Sequence, residues 1–172
     1  YQGTMDQWLN MTFGSSWLPS NDNINLYINN ELVDEITINT DIPSYAFDDI
    51  DSITKVTLGE GVTSIGNSAF YRCSSLATVT FAQGSQLESI GERAFSYCSN
   101  LTEITLPASV TSIGSWAFQN CTSLATVTFV EGSQLKSISD SAFYNCSNLT
   151  EIILPSSLTS IGSSAFNNCY AL

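Results

Sequence analysis

Six Ala-Phe pairs recur along this chain, at Ala46–Phe47, Ala69–Phe70, Ala94–Phe95, Ala117–Phe118, Ala142–Phe143 and Ala165–Phe166. Counted from one alanine to the next, the intervals run 23, 25, 23, 25 and 23. A period of this length marks a solenoid, because each unit is too small to bury its own apolar face and is stable only when stacked on its neighbours. A longer repeat lies over the short one: residues 77–124 and 125–172 are identical at 33 of 48 positions. The expected architecture is one elongated repeat domain in place of a globule. Residues 1–31 are expected to form a divergent N-terminal unit with a hairpin lead-in, and residues 32–172 six repeats whose lengths alternate between 23 and 25.

Within each repeat the apolar positions alternate. The segments ITKVTL (53–58), LATVTF (76–81), LTEITL (101–106), LATVTF (124–129) and LTEIIL (149–154) open on an apolar anchor. Two-residue alternation then turns the fourth and sixth residues inward and the third and fifth outward. Stacked side by side in a solenoid, these strands are parallel. Pro107 and Pro155 end two of them, since proline has no N–H to give to a further ladder bond. A second short extended piece follows, as in Val110-Thr111-Ser112-Ile113. Gly66, Gly91, Gly114 and Gly162 then allow a sharp turn into a short helical segment that carries the Ala-Phe pair. Ser139 replaces this glycine in one unit, so positive φ is not required there. The difference between short and long repeats is local: Phe81–Leu87 is two residues longer than Leu106–Val110, and Phe129–Leu135 repeats the longer form. Those extra residues are expected to bulge from one edge on alternate coils.

Near the start, Asp6-Gln7-Trp8-Leu9 predicts one helical turn, with Trp8, Met11, Phe13 and Trp17 covering the first repeat. Gly14-Ser15-Ser16 and residues 19–23 read as loops. Asn29-Asn30, between Ile24–Ile28 and Glu31–Ile38, predicts a tight hairpin turn.

The recurring pattern L-x-x-[VI]-x-L-P-x-[SG]-[VL]-T-S-I-G-x-x-A-F-x-x-C-x-x-L, seen in LTEITLPASVTSIGSWAFQNCTSL (101–124), resembles the BspA-like leucine-rich repeats. The similarity covers residues 32–172, and LYINNELV (26–33) and GTMDQWLNMTFG (3–14) are similar to the lead-in of such arrays. The first unit departs from the pattern, with Ile50 at the cysteine station and Tyr45 before Ala46. The resemblance implies a right-handed leucine-rich-repeat superhelix with a parallel sheet on one face. It also implies an extracellular or cell-surface location and a role in adhesion. Tyr1 in place of methionine, and an end at Leu172 where the next strand is due, suggest a piece of a longer protein.

The residue types exclude most chemistry. With no histidine, the commonest general base is missing, and so are the Ser-His and Cys-His nucleophile pairs. No catalytic residues, cofactor or metal site are expected. Cys73, Cys98, Cys121, Cys146 and Cys169 occupy the same station of successive coils, at spacings of 25, 23, 25 and 23. Zinc ligands are usually two to four residues apart and converge on one ion. These cysteines read instead as small buried groups with free thiols. Asp48, Asp49 and Asp51 cluster without the spacing of a calcium loop. A net charge of −12 repels phosphate backbones and anionic lipid, so no nucleic acid is expected as partner. No apolar run reaches the roughly 20 residues of a membrane helix, so no membrane insertion is expected in this segment.

The outward face of the parallel strands remains. Its first column reads Glu35, Lys55, Thr78, Glu103, Thr126, Glu151, and its second Thr37, Thr57, Thr80, Thr105, Thr128, Ile153. Only Thr78/Thr80 and Thr126/Thr128 place threonine in both columns, too few for an ice-binding array, and β-branching alone suits threonine to such positions. The candidate binding residues are therefore Glu35, Thr37, Lys55, Thr57, Thr78, Thr80, Glu103, Thr105, Thr126, Thr128 and Glu151. The partner expected is a protein or glycan of a host or neighbouring cell. The alternative is a structural spacer that presents another domain. Should the face fail, the bulges at Gly84-Ser85 and Gly132-Ser133 are the next candidates.

Overall fold

The structure, a computed structural model, describes residues 4–9, 26–28 and 30–172. It is a parallel solenoid whose coils each have three sides. The front side carries strands β3 (Glu35–Ile38), β4 (Lys55–Leu58), β6 (Thr78–Phe81), β8 (Glu103–Leu106), β10 (Thr126–Phe129) and β12 (Glu151–Ile152). The back side carries the two-residue strands β5 (Ser64–Ile65), β7 (Ser89–Ile90), β9 (Ser112–Ile113), β11 (Ser137–Ile138) and β13 (Ser160–Ile161), which form one five-stranded sheet. Their serines and isoleucines pair in register from coil to coil, and a bridge from Ile42 to Ile65 carries the ladder back one coil further.

The third side holds the Ala-Phe pairs and is built of successive turns, not of the helical segment expected from the sequence. Ala46 and Ile50 donate to carbonyls three residues back, while Tyr45, Phe47 and Asp49 donate to Asn67, Ala69 and Tyr71 of the next coil at 2.8–2.9 Å. The same division recurs at Ser68, Phe70 and Arg72, and at Trp116, Phe118 and Asn120. A helix would direct its amides along its own axis. Here every second amide is directed across to the neighbouring coil, so this side becomes another ladder. The arrangement needs two left-handed residues per coil, such as Trp116 (φ 55°) and Asn120 (φ 57°).

Glycine at the mouth of this turn is favoured by close contact, not by dihedral angle, although Ser139 fills the same place in one coil. A Cβ on Gly114 would meet the carbonyl carbon of Gly91 at 2.7 Å, and one on Gly91 would meet that of Gly66 at 2.7 Å. Among the described glycines, those with positive φ are Gly84 (82°) and Gly132 (79°), at the tips of the two long turns.

The core runs the length of the stack. Phe47, Phe70, Phe95, Phe118, Phe143 and Phe166 pile up with ring centroids 5.1–5.3 Å apart and planes within 11°. Each cysteine is a free thiol that donates to the carbonyl of the phenylalanine one coil earlier, as Cys121 does to Phe95 at 3.1 Å. Burial pushes the Cys73, Cys98 and Cys121 thiols up, so they do not ionise in the ordinary range. Cys73, Cys98, Cys121 and Cys146 are buried, and Cys169 is half-buried.

The N-terminal end is covered. Helix α1 (Met5–Leu9) begins with a reciprocal cap, in which Gln7 N donates to Thr4 Oγ1 at 3.2 Å and Thr4 N to Gln7 Oε1 at 2.9 Å. It places Trp8 over Phe47, ring to ring at 6.3 Å, and the indole N–H donates to the Ala46 carbonyl at 2.8 Å. The other covering residues expected, Met11, Phe13 and Trp17, lie outside the described residues, as do the loops at 14–16 and 19–23. Strands β1 (Tyr27–Ile28) and β2 (Glu31–Leu32) pair antiparallel, with Asn30 in the left-handed region at φ 68°; Asn29 is outside the described residues.

Candidate functional site

On the front side, inward and outward residues fall where alternation places them. Ile36, Val56, Val79, Ile104 and Val127 are buried, and Glu35, Thr37, Thr78, Thr80, Glu103, Thr105, Thr126, Thr128 and Glu151 are exposed. Lys55 and Thr57 are partly exposed. The columns are in register, with Glu35 beside Lys55 beside Thr78, and Thr37 beside Thr57 beside Thr80. On the far half, Thr126 pairs with both Glu103 and Glu151, and Thr128 with Thr105. Lys55 Nζ reaches Glu35 Oε2 at 3.0 Å, and Thr80 Oγ1 donates to Thr57 Oγ1 at 3.2 Å. Ile153 falls beyond the ladder and is 74% exposed.

The front side is not one continuous sheet. It divides into β3-β4-β6 and β8-β10-β12, with no ladder between β6 and β8. The cause lies in coil length and in proline. Where a short coil precedes a long one, pairing is complete: β4 with β6, and β8 with β10, over four residue pairs each. Where the long coil precedes the short one, pairing fails wholly at β6/β8 and persists for two pairs only at β10/β12. Ala82 N and Val130 N close the complete junctions, donating to Leu58 O at 2.8 Å and Leu106 O at 3.3 Å. At the incomplete junctions the matching residues are Pro107 and Pro155, which have no N–H.

The parted strands leave a cleft of about 560 Å³. Its wall on one side is β6 with the long turn through Ala82, Gly84 and Ser85, and on the other β8 with Pro107, Ala108 and Ser109. Phe81 and Phe129, at the sixth strand position of the long coils, are only half-buried, whereas Leu58 and Leu106 of the short coils are fully buried. This corrects the expectation that every sixth residue lies inside. Ser109 Oγ donates to Leu87 O at 2.7 Å and Ser85 O at 3.0 Å, which fixes the rim of the long turn. Of the candidate face residues, Thr78, Thr80, Glu103 and Thr105 line the cleft. Phe81, Pro107, Ala108 and Val130 join them although periodicity gave no sign of it. The signals that could have found them were the alternating coil length and the two prolines.

Among the described residues, no group of three His, Cys, Asp or Glu side chains is arranged to hold a metal ion. At Asp48 the carboxyl oxygen Oδ1 is buried without a hydrogen-bond partner. Burial first, then repulsion from Asp49, raise its pKa to about 6. Asp49 lies 3.9 Å from Arg72, and Asp51 accepts a hydrogen bond from Ser74. The described residues contain no helix long and apolar enough to cross a membrane.

Coils of this shape, with an outward-facing parallel sheet and a continuous leucine, isoleucine and phenylalanine core, define a leucine-rich-repeat solenoid. The family model for the BspA type leucine rich repeat region matches residues 40–172 in 6 copies, and the chain belongs to that family. Among solved structures, it is similar to a leucine rich cell surface protein from Faecalibacterium prausnitzii (30% identity, TM-score 0.55, 81% of this chain and 46% of that one). It is also similar to the pneumococcal vaccine antigen PcpA (28%, 0.61, 91% and 40%) and to a Treponema pallidum leucine rich repeat protein (26%, 0.59, 81% and 78%). The chain thus spans under half the length of the first two. No curated protein matches it.

Proposed function

We propose that this chain is a non-enzymatic extracellular or cell-surface repeat module that binds a protein or glycan through the outward face of its front strands. The observation that carries this reading is the pair of in-register columns, Glu35 to Thr78 with Thr37 to Thr80, and Glu103 to Glu151 with Thr105 to Thr128. Their inner neighbours hold them rigidly, so a partner meets a preformed surface and little ordering entropy opposes binding. The cell-surface protein and the vaccine antigen among the similar structures support the location. A spacer role is the second reading. It is favoured by the chain's spanning only 46% and 40% of those longer proteins.

The test is a binding screen of the chain against immobilised matrix proteins and glycans, repeated with Glu103 and Glu151 both changed to lysine. Charge reversal at exposed strand positions changes stability little, whereas an interface carboxylate contributes up to a few kcal/mol to recognition. The reading expects binding that the double variant loses while staying folded. A partner held equally by both proteins removes the face from consideration, and a screen with no partner favours the spacer.

A further inference from the structure

The opening between β6 and β8 leaves main-chain groups unsatisfied in a regular order. At the paired junctions outward residues of the later strand donate their amides to the preceding coil: Lys55 to Asp34 O and Thr78 to Thr54 O, both at 3.2 Å. By the same alternation the amides of Glu103 and Thr105 face the gap, and so, from the other side, do those of Val79 and Phe81. We propose that this cleft takes a short extended peptide as an added strand between β6 and β8, with a lysine or arginine of the peptide beside Glu103. The proposal deepens the binding reading above, rests on it, and narrows the partner to a protein segment.

The chemistry selects a peptide over a glycan or a small apolar molecule. Two facing strand edges present N–H and C=O groups in alternation, and another extended main chain offers the complement of both. The side chains set the rest. At the broad end Phe81, Pro107, Ala108 and Val130 offer apolar surface to an aliphatic side chain. Glu103 is the one charged residue lining the cleft, and no basic residue lines it. The fold already contains the matching contact, since Lys55 of β4 reaches Glu35 of β3 at 3.0 Å from the same outward column. A strand with the sequence of residues 53–58, ITKVTL, would bring its lysine to Glu103 in the same way.

Insertion requires the two front strands to move apart. An inserted strand needs its two neighbours roughly 9.6 Å apart, twice the usual strand spacing, and parts of β6 and β8 now lie within 8 Å. The other two sides remain bonded across this junction and act as the pivot. Ser89 and Ile90 pair with Ser112 and Ile113, and Phe95 N donates to Ala117 O at 2.8 Å. The β10/β12 junction, with the same step in coil length and with Pro155, keeps two residue pairs, so it is shortened where β6/β8 is open.

The experiment titrates fluorophore-labelled ITKVTL, acetylated and amidated, into the full chain, with anisotropy as the readout. Saturable binding is expected. It should weaken at least tenfold for ITEVTL and for a peptide N-methylated on alternate residues. Glu103→Lys should invert the preference between the lysine and glutamate peptides. Pro107→Ala restores the missing donor and should weaken ITKVTL at least tenfold without lowering the unfolding midpoint. No binding up to millimolar peptide, equal binding of the N-methylated peptide, or an unchanged preference in Glu103→Lys overturns the proposal. A partner from the screen that is sensitive to Glu151→Lys but indifferent to Pro107→Ala keeps the face reading and overturns the cleft. A partner indifferent to both overturns the two together.

Discussion

Replacing Phe118 with alanine should destabilise the chain by about 4–5 kcal/mol, the upper part of the range for emptying an aromatic core station. Phe118 is fully buried and stacked on both faces, on Phe95 at 5.3 Å and on Phe143 at 5.1 Å. Each such stack adds about 0.5–1.5 kcal/mol beyond the burial itself. The neighbouring coils cannot collapse into the void, because the turn ladder around Phe118 holds them at a fixed spacing; Phe118 N donates to Ala142 O at 2.7 Å. Phe166 is the comparison. It has one stacked neighbour, Phe143, at 5.3 Å and is half-buried, so Phe166→Ala should cost about 1–2 kcal/mol. Urea unfolding followed by circular dichroism measures both. A solenoid unfolding as one unit should also show an unchanged m-value for Phe118→Ala. Equal losses at the two positions would refute the reasoning, since position in the stack would then not matter.

Further outcomes follow from the same geometry. Alkylation of the native protein should label Cys169 first and leave Cys73, Cys98, Cys121 and Cys146 unmodified until denaturant is added; rapid labelling of all five would contradict their burial. Burial pushes the Asp48 carboxyl up to about 6 from the ordinary 3.8, so stability is lost as pH rises from about 4 through about 6, and none of this loss is present at lower pH. A stability gap favouring Asp48→Asn should therefore open between pH 4 and pH 8 in thermal melts, and a gap independent of pH would refute it. Gly114→Ala should cost about 1–3 kcal/mol by forcing a Cβ against the Gly91 backbone at 2.7 Å, and an unchanged unfolding midpoint would show that the coils part freely. Hydrogen exchange should be faster around Phe166 than around Phe118, because the coil around Phe166 is the more exposed of the two.

What the sequence made legible was most of what depends on which way a side chain points, with Phe81, Phe129 and Leu154 at the sixth strand position as the exceptions. Alternation alone placed Glu103 and Thr105 outside and Ile104 and Leu106 inside, and the structure has them so. The spacing of the Ala-Phe pairs set the stack, and Trp8 at its end follows from an apolar residue beside a capped turn. What alternation does not encode is where each amide goes. Reading Gly114 to Cys121 as helical assumes bonds along the chain, whereas Phe118 and Asn120 donate to the next coil. The division of the front sheet was hidden for the same reason. It turns on a donor that Pro107 lacks and on two extra residues around Gly84, neither of which alters the in-and-out pattern.

Residue-resolved amide exchange by NMR tests the split front face most directly. The amides of Glu103 and Thr105 should exchange quickly, while those of Thr80 and Thr128, on the same column arrangement but at complete junctions, should be strongly protected. Added ITKVTL peptide should then protect Glu103 and Thr105 and leave Thr128 as it was. Protection of Glu103 and Thr105 equal to that of Thr80 and Thr128 in the free protein would mean that β6 and β8 are joined, and would contradict the account.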